Sequence, residues 1–231
     1  MVYRCGHAVS GLLFPPRCLL CGEPGQAPRD LCPACAASLP WQGNACRGCA
    51  LPLPPGAPAA ALCGACRQQR SPLHQVHAAC VYAAPVDGLL RRFKFHHDLA
   101  AGRLLSQLMA ERLATAERPQ ALLPVPLHIS RLRQRGYDQA LELGKPLARA
   151  LQLPLASGLR RVRATAAQSE LDAAARRRNL RGAFIAKGPL PAHVALLDDV
   201  MTTGATLRAA ASALRRAGVQ RVDAWVCARV P

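Results

Sequence analysis

Eight of the chain's eleven cysteines stand in four CxxC pairs near its N-terminus. The spacers between successive pairs are 10, 10 and 13 residues long. A CxxC turn directs two thiolates at one metal ion, and two such turns complete a tetrahedral site with Zn–S distances of about 2.3 Å. The sequence therefore predicts two zinc ions, held by Cys18, Cys21, Cys32, Cys35, Cys46, Cys49, Cys63 and Cys66.

Other uses of these cysteines fit the sequence less well. A thioredoxin-like redox site needs one CxxC pair on a βαβ scaffold, and a disulfide framework needs an oxidising compartment. Four ligands for each ion leave no coordination position open, so the zinc is expected to be structural. We expect the first two pairs to share one ion and the last two the other, although the spacers also permit cross-braced pairing.

The N-terminal apolar run, residues 8–14, is too short to span a membrane and leads into two prolines and a cysteine pair, not a cleavage site. No other stretch reaches about 18 uninterrupted apolar residues. We therefore expect a cytoplasmic protein without membrane insertion, whose thiols stay reduced. Cys80 and Cys227 lie in apolar runs and are expected to be core residues, while the role of Cys5 stays open.

The chain divides into a loop-rich zinc module, residues 1–70, and a longer domain, residues 77–231, joined by a polar linker. In the longer domain short apolar runs alternate with segments of helical spacing. The strand candidates are 78–82, 121–125, 194–197 and 222–226, and the helix candidates are 86–113, 139–151 and 205–217. This alternation predicts an α/β fold with a mostly parallel sheet flanked by helices. The basic segment 160–182 does not indicate a backbone state.

One segment carries a specific chemical signal, because residues 194–206 read VALLDDVMTTGAT. A buried strand is expected to end at Asp198 and Asp199, and a threonine-rich loop then leads into a helix. In a parallel α/β sheet ligands bind at the carboxyl ends of the strands, and helix N-termini favour phosphate. The alternative is a strand end with two solvated aspartates, followed by an ordinary helix N-cap.

This segment resembles the signature by which type I phosphoribosyltransferases bind phosphoribosyl pyrophosphate (PRPP). The resemblance implies that the aspartates face the ribose hydroxyls, that the loop holds the terminal phosphate, and that Mg2+ accompanies PRPP. The implied PRPP-binding residues are Asp198, Asp199, Thr202, Thr203, Gly204, Ala205 and Thr206. A Walker P-loop is excluded, because no GxxxxGK sequence followed by serine or threonine occurs.

Over most of its length the chain resembles the ComF/GntX family, also called competence protein F, whose members join a double zinc ribbon to a phosphoribosyltransferase-like domain. Besides the cysteine pairs and the PRPP segment, the resemblance rests on residues 89–98, 124–140 and 161–184. It implies a mobile segment that closes over the site, although Glu170 and Ala175 stand where the family usually has glycine and glutamate. It also implies candidates for pyrophosphate or DNA contact, namely Lys94, Arg131, Arg133, Arg135, Arg163 and Gln168. Solvated surface positions are the alternative for each of these candidates.

The net charge of +17 favours an anionic partner such as nucleic acid or a phosphate compound. Two zinc ions bound by eight thiolates would lower this charge to about +13. A GC-rich genome, which favours arginine and alanine, would explain the same composition without any partner. The charge therefore supports a nucleic-acid hypothesis without establishing it.

Three functions are compatible with these features. The family resemblance implies a role in natural competence or in the use of imported DNA, with single-stranded DNA as a partner, beside a helicase of the uptake machinery. An active phosphoribosyltransferase of nucleotide metabolism is the second hypothesis, although no acceptor pocket or general base is identifiable. A PRPP-sensing gene regulator is the third, although no recognition-helix motif is evident. Trp41 and Tyr137 are the candidate platforms for base stacking.

Overall fold

The computed structural model describes residues 15–58, 60–164, 180 and 182–231, and a parallel β-sheet lies at the centre of this part of the chain. The strands are β1 (Val76–Val81), β2 (Ala121–Pro124), β3 (Leu159–Arg161), β4 (Phe184–Ala186), β5 (His193–Met201) and β6 (Arg221–Arg229). The central sheet has the order β1-β6-β5-β2, and each neighbouring pair in it is parallel. The predicted α/β fold with a parallel sheet is confirmed.

Helices precede and connect the strands, mostly where the apolar periodicity predicts them. In the described residues they are α1 (Pro33–Ala37), α2 (Gly64–Gln68), α3 (Val86–Phe95), α4 (Leu99–Leu113), α5 (Ile129–Arg135), α6 (Gln139–Leu151) and α7 (Ala205–Arg216). The helical spacing over 86–113 corresponds to two helices, because the chain turns at His97, which has a φ of 55°. Asp98 then caps α4 by accepting a 2.9 Å hydrogen bond from the Ala101 amide.

Both faces of the sheet are covered, which explains why its strands read as continuous apolar runs. On β5, Ala195 and Leu197 belong to the apolar core that α3, α4 and α6 share, whereas Val194 and Leu196 belong to the core beneath α7. These two cores hold β5 from both sides, so the residues that follow Leu197 have a fixed position. None of the described helices is long and apolar enough to cross a lipid bilayer.

The zinc module covers the edge of the sheet at β1. The Val81 amide donates a 2.8 Å hydrogen bond to the Pro40 carbonyl, and the Gln42 amide donates a 3.0 Å bond to the Ala79 carbonyl. An unpaired edge strand can pair with another chain, and this arrangement removes part of that edge. The zinc module is therefore joined to the sheet through backbone hydrogen bonds.

Three arginines of the α/β domain donate hydrogen bonds to carbonyl groups of the zinc module. These bonds join Arg92 to Leu19 (2.7 Å), Arg112 to Gln42 (2.7 Å) and Arg229 to Cys49 (2.8 Å). Hydrogen bonds from charged donors are stronger than those between neutral groups. These three guanidinium groups therefore hold the zinc module against the α/β domain. Net charge alone is for this reason weaker evidence for an anionic partner than the sequence suggests.

Strand β5 is longer than the sequence predicts, and this changes where the two aspartates lie. The prediction that the strand ends at the acidic pair is wrong, because β5 continues through Asp198 and Asp199 to Met201 while paired with β6. On its other edge, β2 pairs with β5 only as far as Leu197. The aspartates therefore lie on the part of β5 that is paired with β6 on one side and is no longer paired with β2 on the other.

Strand β3 lies at the start of the basic segment without a predicted backbone state, and β4 follows the end of that segment. The two strands pair in antiparallel orientation. Residues 165–179 and residue 181, between these two strands, lie outside the described residues. The predicted contact residue Gln168 is among them, as are Glu170 and Ala175. Cys5 also lies outside the described residues.

Candidate functional site

The eight paired cysteines form two clusters in the described structure, and within each cluster the four Sγ atoms lie within 4.8 Å of one another. The members of the clusters are Cys18, Cys21, Cys32 and Cys35 in one and Cys46, Cys49, Cys63 and Cys66 in the other. The first two CxxC pairs thus share one cluster and the last two share the other. Sequential pairing is confirmed, and the cross-braced alternative is excluded.

The spacing and chemistry of these sulfur atoms fit zinc. The Sγ atoms of Cys21 and Cys32 are 3.7 Å apart, as are those of Cys49 and Cys63. A tetrahedron with Zn–S bonds of about 2.3 Å has edges of about 3.8 Å. Burial raises the pKa of the Cys18 thiol, but backbone N–H groups, first that of Cys32, outweigh it and bring this pKa to about 6. Cys18 thus favours thiolate, the form that binds metal, whereas hydrogen bonds to neighbouring thiols, first that of Cys32, raise the pKa of Cys35. The spacing of the sulfur atoms in both clusters fits structural zinc ions.

A cleft of about 560 Å³ lies where β2 and β5 separate. Two predicted residues, Arg133 and Arg163, are exposed and lie outside its lining. Arg133 points away from the side of α5 that carries Arg131 and Arg135, because residues four apart share one helix face and residues two apart do not. The predicted residues that the cleft brings together are Lys94, Arg131, Arg135, Asp198, Asp199, Thr202, Thr203, Gly204, Ala205 and Thr206.

The loop after β5 has the geometry of a phosphate-binding turn. Gly204 has a φ of 72°, which glycine adopts without strain, and α7 begins directly after it. The Thr203 hydroxyl accepts a 3.4 Å hydrogen bond from the Ala205 amide, and Arg208 donates a 2.5 Å bond to the Thr203 carbonyl. The first N–H groups of a helix have no partner within the helix and lie at the positive end of its dipole. The loop therefore offers amide and hydroxyl donors to an anion in the cleft.

The acidic pair is largely withdrawn from solvent and is in contact with a lysine. Lys94 Nζ lies 2.9 Å from Asp199 Oδ2, and only 20% of the lysine side chain and 12% of the aspartate side chain are exposed. Burial lowers the pKa of Lys94, but the carboxylates of Asp199 and Asp198 outweigh burial and raise this pKa above its usual value. Lys94 is therefore a charged group inside the cleft and not a solvated surface lysine.

Asp198 has a different electrostatic character from a surface carboxylate. Burial, and next the neighbouring charge of Asp199, raise the pKa of Asp198 to about 8. The Asp199 amide donates a 2.9 Å hydrogen bond to Asp198 Oδ1, which opposes this rise without cancelling it. Near neutral pH the acidic pair therefore carries less than two negative charges, so the cleft repels an anion less than its composition suggests.

Among the lining residues that were not predicted, Arg161 and Phe95 add a charged and an aromatic group to the cleft. Arg161 on β3 lies close enough to Arg131 and Asp198 for both charges to act on it; burial, followed by Arg131, lowers the pKa of its guanidinium. Phe95, at the end of α3, is 62% exposed, and the Arg135 guanidinium lies 5.6 Å from the centre of its ring. In the sequence, Phe95 and Arg161 were indicated only by their positions within segments 89–98 and 161–184, which carry the family resemblance.

The aromatic residues predicted as stacking platforms serve in packing. Trp41 donates a 3.2 Å hydrogen bond from Nε1 to the Ala36 carbonyl and packs against the core around α4. Tyr137 donates a hydrogen bond to the Phe93 carbonyl, and its ring lies 5.5 Å from that of Phe93. Phe95 is thus the better candidate for stacking among the described aromatic residues.

Comparison with known proteins finds a matching domain family and several relatives. Residues 9–67 match the family described as "Double zinc ribbon domain". Over 178 residues the chain is 37% identical to "Competence protein F" of Haemophilus influenzae, which covers 72% of this chain and 78% of that protein. The chain belongs to the competence protein F family. The resemblance seen in the sequence is thereby confirmed.

Two longer matches extend this relationship over nearly the whole chain. The "DNA utilization protein YhgH" of Salmonella typhimurium is 35% identical over 228 residues, which cover 94% of this chain and 99% of that protein. The protein of the same name from Escherichia coli K12 is 32% identical over 232 residues, with the same coverage of both chains. These relatives therefore correspond to this chain over nearly the whole of their own length.

Proposed function

We propose that this protein binds PRPP with Mg2+ in the cleft beside β5 and acts in DNA uptake or in the use of imported DNA, where it contacts single strands. The observation that supports PRPP binding is the meeting of an acidic pair, a phosphate-binding turn and several cationic side chains in one cleft. The names of the relatives, competence protein F and DNA utilization protein, support the biological role.

The three parts of PRPP have complementary partners in the cleft. The 5′-phosphate suits the turn at Gly204, because helix N-termini bind phosphate. The ribose hydroxyls suit Asp198 and Asp199, whose oxygens accept hydrogen bonds. The pyrophosphate suits Lys94 and Arg131, because charge-assisted hydrogen bonds to phosphate are strong.

The donor set also fits the Mg2+ that accompanies PRPP. Mg2+ prefers oxygen ligands and is usually bound by one or two carboxylates together with substrate phosphates. Asp198 and Asp199 would supply those carboxylate oxygens, and Thr202 lines the same part of the cleft. When bound, the ion supplies charge neutralisation for the pyrophosphate.

The ion pair between Lys94 and Asp199 is expected to open when PRPP binds. Both groups are mostly buried, and a buried charge stays favourable only while it has a partner. PRPP offers each of them a new one, since its pyrophosphate can accept from Lys94 and its ribose hydroxyls can donate to Asp199. The pair thus keeps both charges satisfied in the free protein without blocking the ligand.

The affinity for PRPP should rise with pH. A carboxylate accepts hydrogen bonds from ribose hydroxyls with both oxygens, and Asp198 reaches that form only as pH passes its pKa of about 8. The ionised fraction of such a group grows about tenfold between pH 7 and pH 9. Calorimetric titration of the zinc-replete protein with Mg2+ and PRPP should therefore show up to about tenfold tighter binding at pH 9 than at pH 7.

Ionisation of Asp198 lowers the stability of the free protein as pH rises, although it raises the affinity for PRPP. The pKa of Asp198 rises from 3.8 to about 8 on folding, so its stabilising contribution is full below the lower value and is lost as pH rises through the higher one. An Asp198→Asn variant should lose this pH dependence.

If no heat of PRPP binding is measured at any pH between 7 and 9, the PRPP proposal is wrong.

Contact with single-stranded DNA is proposed at the mouth of the cleft. Phe95 offers an exposed ring on which a base can stack, and Arg135 beside it offers a cation for the backbone. Arg131, one helical turn away on α5, extends this cationic surface. Stacking together with cationic contacts is the usual way in which proteins bind single strands without reading their sequence.

Replacement of Arg131 and Arg135 by glutamine should weaken binding of a fluorescent single-stranded oligonucleotide and reduce its salt dependence. Each phosphate contact on a single strand contributes about 0.7 to the slope of log affinity against log salt, so the slope should fall by up to about 1.4. Fluorescence anisotropy at several salt concentrations measures this slope. Arg149→Gln, at an exposed position on α6, is the matched control and should leave the slope unchanged.

An unchanged slope in the Arg131/Arg135 variant would place DNA binding elsewhere or exclude it. Measurement of pyrophosphate release from PRPP in the presence of nucleobases addresses the enzymatic alternative in the same samples. Turnover would identify a phosphoribosyltransferase, whereas binding without turnover would leave PRPP as an effector. These two readouts therefore separate the chemistry from the DNA-handling role.

A further inference from the structure

The two cysteine clusters belong to different apolar cores. Two buried cysteines of the first cluster lie in the core that α3, α4 and α6 share. In the second cluster, Cys46 and Cys49 lie in the core beneath α7. That core also contains Met201 and Ala205, which stand on either side of the turn at Gly204. The second cluster therefore packs in the same core as the residues that flank this turn.

Arg229, the last residue of β6, joins the second cluster to the start of the turn. The residue is only 8% exposed. Its Nε donates a 2.8 Å hydrogen bond to the Cys49 carbonyl, and its Nη1 donates a 3.4 Å bond to the Met201 carbonyl. The Val230 amide donates a 3.0 Å bond to the same Met201 carbonyl. One buried guanidinium thus bridges the carbonyl of a zinc-cluster cysteine and the carbonyl that ends β5.

Met201 is in turn packed tightly against the turn. A Cβ atom at Gly204 would overlap the Met201 Cε atom, so the methionine side chain lies directly against the glycine backbone. Met201 is 2% exposed, and both residues line the cleft beside β5. Three contacts therefore lead from the second cluster to the turn, through Arg229 and then Met201.

These contacts give the turn two arrangements. A buried guanidinium needs acceptors, so Arg229 keeps its position only while the Cys49 carbonyl keeps its own. Metal binding fixes the backbone around the ligands, because such sites are rarely preformed without the metal. Without zinc in the second cluster, Arg229 loses a fixed acceptor and the Met201 carbonyl loses a fixed donor. The turn is then supported in one arrangement and unsupported in the other.

We propose that Arg229 is a positioning residue that makes the turn at Gly204, and through it the affinity for PRPP, depend on zinc in the second cluster. This inference rests on the proposed PRPP site for its effect on affinity. Coupling between two binding sites is reciprocal, so bound PRPP also retains the zinc of the second cluster. The first cluster has no such part, because its buried cysteines lie in the other core.

Amide hydrogen exchange tests the role of Arg229 without PRPP. The Arg208 amide donates a 2.9 Å hydrogen bond to the Gly204 carbonyl, so its exchange rate reports on the turn. Arg229→Met should raise this rate relative to the rates of residues 121–124 in β2. Arg112→Met is the matched control, because Arg112 also donates to a carbonyl of the zinc module but lies outside the lining of the cleft. Arg229→Lys, which keeps the charge without the two-nitrogen fork, replaces the methionine variant if that variant does not fold.

The same measurement compares the two clusters. Cys66→Ser removes a half-buried ligand of the second cluster, and Cys35→Ser removes a half-buried ligand of the first. Each variant should bind one zinc ion instead of two. Exchange of the Arg208 amide, relative to that of β2, should rise only in Cys66→Ser.

PRPP titration and zinc release measure the coupling itself. By calorimetry with Mg2+, Cys66→Ser and Arg229→Met should bind PRPP at least about fivefold more weakly, which is the lower end of typical coupling between sites. Cys35→Ser and Arg112→Met should bind it like the parent. Saturating PRPP should also slow the release of one of the two zinc ions from the parent to a zinc-selective dye, but should not slow release from Arg229→Met.

The outcomes separate this inference from the proposed function. A parent protein that binds no PRPP refutes the proposed function, and the exchange rates then still decide whether the turn depends on the second cluster. Equal relative exchange of the Arg208 amide in Cys66→Ser and Cys35→Ser, or in Arg229→Met and the parent, overturns the inference. Zinc release that PRPP does not slow, in a parent that binds PRPP, overturns it as well.

Discussion

Replacement of both Asp198 and Asp199 by asparagine should abolish measurable PRPP binding. Both residues line the cleft, and hydrogen bonds to charged groups contribute about 1.5–3 kcal/mol each. Loss of two such acceptors corresponds to a weakening of at least about 100-fold, since every 1.4 kcal/mol is a factor of ten. The asparagine side chains keep the shape of the cleft, so the loss would report on charge and not on packing.

The single variants measure the contribution of each aspartate to PRPP affinity and to stability. Asp199→Asn leaves Lys94 without the carboxylate that lies 2.9 Å from it, so it should also lower the stability of the free protein. Asp198→Asn removes a carboxyl group whose ionisation is unfavourable in the fold, so it should weaken PRPP binding without that loss of stability.

Calorimetry with Mg2+ and PRPP measures the affinities of these variants, and thermal unfolding at pH 8 measures their stabilities. Asp87→Asn is the matched control, because this aspartate forms an ion pair with Arg91 on α3 outside the lining of the cleft. A double variant whose affinity stays within a few-fold of the parent would contradict the assignment of the acidic pair to the ribose.

Loss of one zinc cluster should have the largest effect on stability. Cys46→Ser is expected to reduce the bound zinc from two ions to one and to destabilise the whole chain. Structural zinc sites bind with apparent free energies of about 10–16 kcal/mol in isolated peptides, which is comparable to the total stability of a domain. The second cluster is also joined to the sheet, since Arg229 donates a 2.8 Å hydrogen bond to the Cys49 carbonyl.

Elemental analysis of bound zinc and thermal unfolding measure this prediction together. Cys80→Ala is the control, because Cys80 is buried in β1 outside both clusters. It should keep two zinc ions and lower stability only slightly, as expected for removal of one small buried group. An unchanged zinc content in Cys46→Ser, or equal melting temperatures for the two variants, would contradict the assignment of this cluster.

The cysteine clusters and the turn at Gly204 were predictable from the sequence because they are local. Two thiolates separated by two residues converge through the geometry of one turn, whatever the rest of the chain does. Likewise the acidic pair, the turn and the start of α7 lie within residues 194–206, so their order along the chain sets their arrangement. Which cysteine pairs share an ion was not decided by spacing and required the folded module.

The remaining parts of the cleft depend on contacts between distant segments. Lys94 is placed beside Asp199 by the packing of α3 on the sheet, and Arg161 reaches the cleft through β3. The extent of β5 past Leu197 depends on its pairing with β6, which local hydrophobicity does not reveal. The same holds for Arg229, whose buried guanidinium donates to the carbonyl of Cys49, 180 positions away in the sequence.

The amino-acid sequence by itself determined the eight zinc ligands, the alternation of strands and helices, and the acidic pair followed by its turn. Each of these is set by backbone geometry over a few residues or by the burial of one face of one element. Only the tertiary structure decided which cations meet the acidic pair and which arginines bind the zinc module. Those facts depend on which distant segments bury their apolar surface against each other, and no short stretch of sequence encodes that choice.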